Sequence, residues 1–437
     1  MMNTNPVMAI MIALTLGLTG VVGTTPAVAA DAGLGKPRVT QVGTFGGIAY
    51  VQYDGIFQGQ TSTGVYRVPY RITAPADPKR GNRTVVVEPS HFAVGLGILN
   101  TALGRDFLFS RGFAHAGIGW STTSFGDGLN FRILDPTVPG VFIKGGIDDN
   151  GGRTDDEIIV DFARALASHG NAQQMLGRVD RRYLTGVSDS SDPVLRLITS
   201  GRAAGVFDFA LPFTVSPYDP QTALAAGLYG GKLIIVNSEF EGTSADFVDR
   251  GLAPSQYRFY AVAGTPHIPD ALAPDPSNMT TPASYYPELR AHFVQGNNWV
   301  RTGSTPQPSN HLKTSDGVTL DRDQNGNAIS VDANGKSVPR LPFVELGEAR
   351  YLVDFDRFWL FGSYDTVKTI ADLGFKSHDK YIKAFEAKLA NYSKAGYILT
   401  EDADAMRRRA ALCPPLTFTE TYRDHYDAFT TIVPCGP

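Results

Sequence analysis

The sequence predicts an α/β protein built on a doubly wound, mostly parallel sheet, with an inserted cap and a helical C-terminal extension. Two observations predict this class. Continuous β-branched and aliphatic runs at 84–87 and 233–236 are typical of strands buried on both faces of a parallel sheet. Segments with helical spacing of apolar residues, such as 154–168, lie between such runs.

The predicted elements follow one another in a regular order. Segments 49–53 and 64–72 alternate polar and apolar residues and predict an opening antiparallel pair. Strands and helices then alternate along the chain. The predicted strands are 84–87, 113–120, 183–186, 232–237 and 258–263, and the predicted helices are 154–168 and 193–199.

The remaining chain divides into two further segments. Residues 269–342 are rich in Pro, Asn, Ser, Gly and Asp, with one helical stretch, and we interpret them as an insertion or cap. Residues 347–437 show amphipathic helical spacing and form the predicted C-terminal extension. We expect 31–437 to form one domain.

Composition indicates an ordinary globular protein. Of the 437 residues, 39 are basic and 43 acidic, and the two signs are interspersed. A formal charge of −4 offers no electrostatic footprint for nucleic acid, so we exclude that class of partner.

Residues 1–30 are typical of a signal peptide. An uncharged apolar stretch leads into Ala27-Val28-Ala29-Ala30, whose small side chains suit signal peptidase. The first residues lack Lys and Arg, which leaves an uncleaved anchor as the alternative. No later stretch is long and apolar enough to span a bilayer, so we expect export to the periplasm or beyond, without stable membrane insertion after cleavage.

Two cysteines, Cys413 and Cys435, lie near the C-terminus. In an oxidising compartment such a pair is expected to form a disulfide, and two unpaired buried thiols are the alternative.

The sharpest local motif is Gly186-Val187-Ser188-Asp189-Ser190, where a predicted strand gives way to a helix. A serine at such a turn projects above the sheet edge, and the amide of the next residue, Asp189, faces the oxyanion of an acyl-transfer reaction. The usual motif has a second glycine where this chain has Ser190. The alternative is a capped helix start with Ser188 or Asp189 as N-cap.

Candidate partners follow in the chain order of a catalytic triad. Glu239 and Glu241 come after the strand at 233–236, and His267 comes after the strand at 258–263. We favour Glu241 because it lies one loop turn beyond the strand end, and Glu239 stays the alternative. In this arrangement His267 accepts the Ser188 proton and the carboxylate orients the imidazole.

Several neighbouring groups could complete the site. A second oxyanion donor is expected from the loop after the strand at 84–87, where the Ser90 or the His91 amide is the candidate. His91 and His115 both lie near strand ends and could line the site.

We expect no cofactor and no metal. The segment from Asp321 to Asp332 imitates part of a calcium loop, but it lacks the usual terminal glutamate, and the same pattern serves a polar hairpin.

Several stretches beyond the triad are informative together, and they include 111–120, 298–303, 323–328, 338–342 and 402–404. These stretches resemble the long bacterial and fungal "alpha/beta hydrolase domain-containing" proteins, a branch of the α/β-hydrolase superfamily. The similarity covers nearly all of the expected mature chain. The resemblance implies an α/β-hydrolase fold and carboxylic ester hydrolysis. Members usually have Gln where this chain has Asp189 and Gly where it has Ser191.

The sequence therefore favours a secreted serine esterase that forms an acyl-enzyme with a small-molecule or acylated substrate. Two alternatives remain open: an acyltransferase or an amide or lactone hydrolase on the same triad, and a noncatalytic binding protein on a hydrolase scaffold. The oligomeric state is not predicted.

Overall fold

The structure is a computed structural model, and it describes residues 33–60, 64–91, 96–97, 102–120, 133–134, 142–143, 146–149, 156–215, 218–242, 248–269, 283–353, 360, 362–366 and 368–411. The expected signal peptide and the pair Cys413 and Cys435 lie outside these residues, so both stay predictions. Within the described ranges, no helix has the length and apolar character that crossing a membrane requires.

A central sheet of eleven strands is seen among the described residues. Its main path runs in the order β1-β3-β4-β6-β5-β10-β11-β12-β13, while β2 pairs with β3 and β9 pairs with β4. The six strands from β6 to β13 along this path are mutually parallel, and β1 to β4 pair antiparallel. The strands of the whole structure are β1 Gly33–Leu34, β2 Arg38–Phe45, β3 Ile48–Gln60, β4 Gly64–Pro75, β5 Thr84–Pro89, β6 Ala114–Ile118, β7 Ile133–Leu134, β8 Phe142–Ile143, β9 Gly146–Asp149, β10 Arg181–Val187, β11 Phe209–Phe213, β12 Lys232–Ser238, β13 Tyr257–Val262, β14 Asn310–Leu312, β15 Ser330–Asp332, β16 Arg350–Leu352 and β17 Ser363–Asp365.

Helices cover both faces of this sheet, so the predicted α/β class is confirmed. The described α-helices are α1 Arg105–Phe109, α2 Asp156–Ser168, α3 Gly170–Leu176, α4 Ser191–Thr199, α5 Gln221–Ala225, α6 Tyr286–Thr302, α7 Pro342–Leu346, α8 His378–Lys394 and α9 Thr400–Ala410, with short 3-10 turns at Pro78–Arg80 and Ser188–Ser190.

The parallel strands are buried on both faces, which explains their continuous apolar sequence. In β11, Phe209 and Leu211 enter one hydrophobic cluster, and Ala210 between them enters the cluster on the opposite face. This alternation follows from the two-residue period of a strand.

The helix of the predicted insertion packs directly on the sheet. A Cβ on Gly296 of α6 would lie 2.0 Å from the Phe209 ring, so this glycine lets the helix approach the sheet closely. The predicted helical extension joins the same layer, because Arg290 of α6 forms a buried ion pair of 2.8 Å with Asp402 of α9.

The insertion also covers the edge strand β13. The Ser309 hydroxyl accepts the Phe259 N–H at 3.1 Å, and the Asn310 side-chain oxygen accepts the Ala261 N–H at 2.8 Å. These two side chains thus form hydrogen bonds with backbone amides of β13 that would otherwise be exposed at the edge of the sheet.

Candidate active site

The candidate nucleophile lies in a strained turn directly after β10. Ser188 has a φ of 52°, in the left-handed region that non-glycine residues rarely adopt. A Cβ on Gly186 would lie only 2.2 Å from the Ser190 carbonyl oxygen, so the turn closes this tightly only with glycine there. A strained turn between a strand and a helix is the setting of a nucleophile elbow.

Hydroxyl groups hold the turn where the usual motif has glycine. The buried Ser190 hydroxyl accepts the Val187 N–H and donates to the Val187 carbonyl, both at 2.9 Å. The Ser191 hydroxyl donates to the Ser188 carbonyl. The alternative interpretation of Ser188 or Asp189 as N-cap of the helix is wrong, since α4 begins at Ser191 and Ser190 precedes it.

His267 and Glu241 are in contact, as the favoured interpretation requires. His267 Nδ1 and Glu241 Oε1 form a hydrogen bond, and their side chains are only 12% and 7% exposed. The second carboxylate oxygen of Glu241 accepts the Ser238 hydroxyl at 2.5 Å. This arrangement fixes the carboxylate on Nδ1, and His267 Nε2 is the ring nitrogen left to act on another group.

Glu239 points to different partners. Its carboxylate is completely buried, accepts the Gly264 N–H at 2.6 Å, and lies 3.1 Å from Arg322 Nη1. Burial raises the pKa of Glu239, and the positive charge of Arg322 opposes that rise. Of the two candidate acids, Glu241 is the one that the fold brings to His267.

Two hydroxyl side chains hold the backbone on either side of the candidate site. The Ser188 N–H donates to Thr214 Oγ1 at 3.3 Å. The Tyr285 hydroxyl donates to the His267 carbonyl at 3.2 Å. Neither Thr214 nor Tyr285 was among the site residues that the sequence predicted. Thr214 did carry a weak signal, since it follows β11 as Ser188 follows β10.

The prediction of a Ser90 oxyanion donor is wrong. The Ser90 N–H donates to the Ile118 carbonyl at 2.8 Å, because the ladder between β5 and β6 continues one residue past the end of β5. The other predicted donor, the Asp189 amide, belongs to the residue directly after Ser188. His91, the alternative to Ser90, places Nε2 at 2.8 Å from Asp189 Oδ1, so its side chain joins the β5 loop to the serine turn.

His115 does not share this position. Its Nε2 lies 2.6 Å from Glu88 Oε2, and both side chains are buried between β5 and β6. We interpret this pair as part of the sheet interior.

The segment that imitates a calcium loop is a set of hydrogen-bonded polar turns. Asp323 accepts two backbone N–H groups, from Asn325 and Asn327, and pairs with Arg340 at 2.8 Å. Asp321 pairs with Lys313 at 2.9 Å. The carboxylates of this segment thus have partners within the protein, and the described part of the chain contains no group of three or more His, Cys, Asp or Glu residues suited to a metal ion.

Comparison with known proteins identifies the family to which this chain belongs. A family model described as an alpha/beta hydrolase domain matches residues 51–408 of the chain. No curated protein sequence matches it significantly.

Solved structures give weaker likenesses. An S-formylglutathione hydrolase from Agrobacterium tumefaciens is 12% identical, with 52% of this chain and 90% of that one covered and a TM-score of 0.32. A glucuronoyl esterase from Solibacter usitatus is 11% identical, with coverages of 53% and 74% and a TM-score of 0.31. A siderophore hydrolase from Aspergillus nidulans is 15% identical, with coverages of 43% and 70% and a TM-score of 0.28. The family assignment rests on the family model.

Proposed function

Since the chain belongs to the alpha/beta hydrolase domain family, we propose that it is an exported serine hydrolase that cleaves carboxylic esters. The observation that carries the proposal is the left-handed Ser188 at the end of β10, together with the hydrogen bond between Glu241, which follows β12, and His267, which follows β13. Parallel strands bring their carboxyl ends to one sheet edge, where loops can assemble a site. The signal-peptide pattern of residues 1–30 supports export.

In the proposed reaction, Ser188 Oγ attacks the ester carbonyl carbon while His267 Nε2 takes the hydroxyl proton. The tetrahedral intermediate collapses, the bond to the alcohol oxygen breaks, and the alcohol leaves with that proton. An acyl group then remains on Ser188. Water attacks the acyl-enzyme with the same help from His267, and this step releases the carboxylic acid and restores the serine.

Glu241, Ser238 and the Asp189 amide orient His267 or stabilise the charges that develop during the proposed reaction. Glu241 holds Nδ1 and stabilises the imidazolium that forms in each step, and the Ser238 hydroxyl keeps its carboxylate in place. The Asp189 amide is the proposed donor to the oxyanion.

Rates of p-nitrophenyl ester hydrolysis test this assignment. Ser188→Ala is expected to lower kcat by more than ~10³-fold with the fold intact, since loss of a triad nucleophile costs several orders of magnitude. Glu241→Gln is expected to lose far more activity than Glu239→Gln. Ser200→Ala, an exposed serine at the end of α4, is the matched control and is expected to retain wild-type rates. Activity of Ser188→Ala within about tenfold of wild type would refute the assignment.

Product analysis separates the proposal from its two alternatives. With an added alcohol acceptor, a hydrolase releases mainly the free acid, whereas an acyltransferase forms mainly the new ester. Amide and lactone substrates extend the same assay. A folded wild-type protein that turns over none of these substrates would instead favour the noncatalytic alternative.

A further inference from the structure

Glu239 joins the two loops that carry Glu241 and His267. Its backbone N–H donates to the Thr265 carbonyl at 3.0 Å, and its carboxylate accepts the Gly264 N–H at 2.6 Å. Glu239 therefore forms hydrogen bonds with two successive residues, Gly264 and Thr265, of the loop that leads to His267. We call residues 263–267 the histidine loop.

The histidine loop has little freedom on its other side. Gly264 has a φ of 80°, and a Cβ there would lie 2.9 Å from Val344 Cγ2. The Thr265 hydroxyl donates to the Val262 carbonyl at 2.6 Å. The position of this loop thus depends on its hydrogen bonds with Glu239 and on its packing against Val344.

Burying the Glu239 carboxylate carries a desolvation cost that its partner must offset. The cation is Arg322, whose Nη1 lies 3.1 Å from Glu239 Oε1 and also donates to the Gly326 carbonyl at 3.1 Å. Arg322 comes from the segment that imitates a calcium loop. Asp323 organises the turn at its tip, and Arg340 fixes Asp323 through an ion pair of 2.8 Å.

We propose that the buried Glu239 carboxylate and the partly exposed Arg322 form a brace that positions His267, and that the polar turns around Asp321 and Asp323 present Arg322 to Glu239. This inference rests on the proposed esterase function. Glu239 is a positioning residue, since it contacts Gly264 and Thr265 of the loop that carries His267. Arg322 acts through Glu239. The polar turns around Asp321 and Asp323 thereby support the loops that carry Glu241 and His267.

The Glu239 side chain is completely buried, whereas that of Arg322 is 35% exposed. Loss of Arg322 alone leaves the buried carboxylate without its cation, so it is expected to be more damaging than loss of both charges. Arg322→Met removes the cation and keeps the volume of the side chain. We expect kcat for ester hydrolysis to fall ~10- to ~100-fold, since a small misplacement of a catalytic group has effects of this size. KM is expected to change little. Adding Glu239→Gln to Arg322→Met is expected to restore part of kcat, because a neutral Gln side-chain oxygen still accepts the Gly264 N–H.

Arg350→Met is the matched control. It removes the exposed ion pair of Arg350 with Asp365 near the same polar turn, and it leaves Glu239 untouched. We expect wild-type kcat from it. Arg322→Lys restores a cation and is expected to recover more activity than Arg322→Met, so the test does not depend on one variant. All rates are measured well below each variant's own unfolding midpoint.

The low-field proton resonance of the His267–Glu241 hydrogen bond gives a second readout. We expect this signal to broaden or shift in Arg322→Met and to stay unchanged in Arg350→Met. A wild-type kcat and an unchanged resonance in Arg322→Met, while Ser188→Ala is inactive, would overturn the brace alone. Full activity of Ser188→Ala would instead overturn the proposed function.

Discussion

Gly186→Ala places a methyl group inside the turn that carries Ser188. The new Cβ would lie 2.2 Å from the Ser190 carbonyl oxygen, 2.7 Å from its carbonyl carbon and 2.9 Å from Ser191 Cα. All three atoms belong to the backbone, so no side-chain rotation can relieve the overlap. Because carbon atoms pack best at about 3.5–4.0 Å, the turn must shift by roughly 1 Å.

Two effects of this shift can be measured. Overpacking of this kind is expected to lower the free energy of unfolding by about 1–3 kcal/mol. Displacement of the nucleophile by roughly 1 Å is expected to reduce kcat by ~10²-fold. Urea denaturation and p-nitrophenyl ester hydrolysis supply the two values.

Gly170→Ala supplies the control for the same chemical change. Gly170 opens α3 with a negative φ, and a Cβ there would meet nothing within 4 Å. We expect unchanged activity and a stability equal to wild type or up to about 1 kcal/mol higher, since alanine restricts the unfolded chain. A Gly186→Ala protein as stable and as active as Gly170→Ala would refute the account of the turn.

Two further predictions concern charged groups. Glu348 is completely buried, and burial raises its pKa from 4.5 to about 8, so the unfolded chain releases this proton at lower pH than the folded protein does. The free energy of unfolding of the wild-type protein therefore falls as pH rises from about 4.5 to about 8. Relative to wild type, Glu348→Gln is expected to gain about 3–4 kcal/mol between about pH 5 and pH 8 in urea titrations. Parallel pH dependences of the two proteins would contradict this. The contact of His91 with Asp189 joins the β5 loop to the serine turn, so Asp189→Ala and His91→Ala are each expected to lower kcat/KM about tenfold without adding in the double variant. Asp189→Asn, which keeps a side-chain oxygen next to His91 Nε2, should stay near wild type. Strictly additive losses would argue against a coupled pair.

The sequence predicted the fold class well because its strongest signals arise from burial on both faces of one sheet. The run from Leu233 to Val236 must be apolar at every position when helices cover both sides, and it became the buried centre of β12. The contact between Glu241 and His267 could likewise be predicted, because each residue follows the end of a parallel strand.

Other features depended on partners that are distant in sequence. Ser90 looked available as an oxyanion donor, yet its amide continues the ladder to Ile118, and the length of a ladder depends on the neighbouring strand. The division of labour between Glu239 and Glu241 also depends on a distant partner, since Arg322 lies in the insertion. Strand ends cannot be predicted from one sequence to better than about two residues. The role of the Ser90 amide and the choice between Glu239 and Glu241 both depend on a strand end placed within two residues.

Covalent labelling with a fluorophosphonate, followed by peptide mass mapping, shows whether Ser188 is the nucleophile. We expect a single adduct on Ser188 of the wild-type protein and none in folded Ser188→Ala. Labelling of His267→Ala is expected to be much slower, because the hydroxyl then lacks its base. Absence of any adduct on the folded wild-type protein, or labelling of another serine that persists in Ser188→Ala, would show that Ser188 is not the nucleophile.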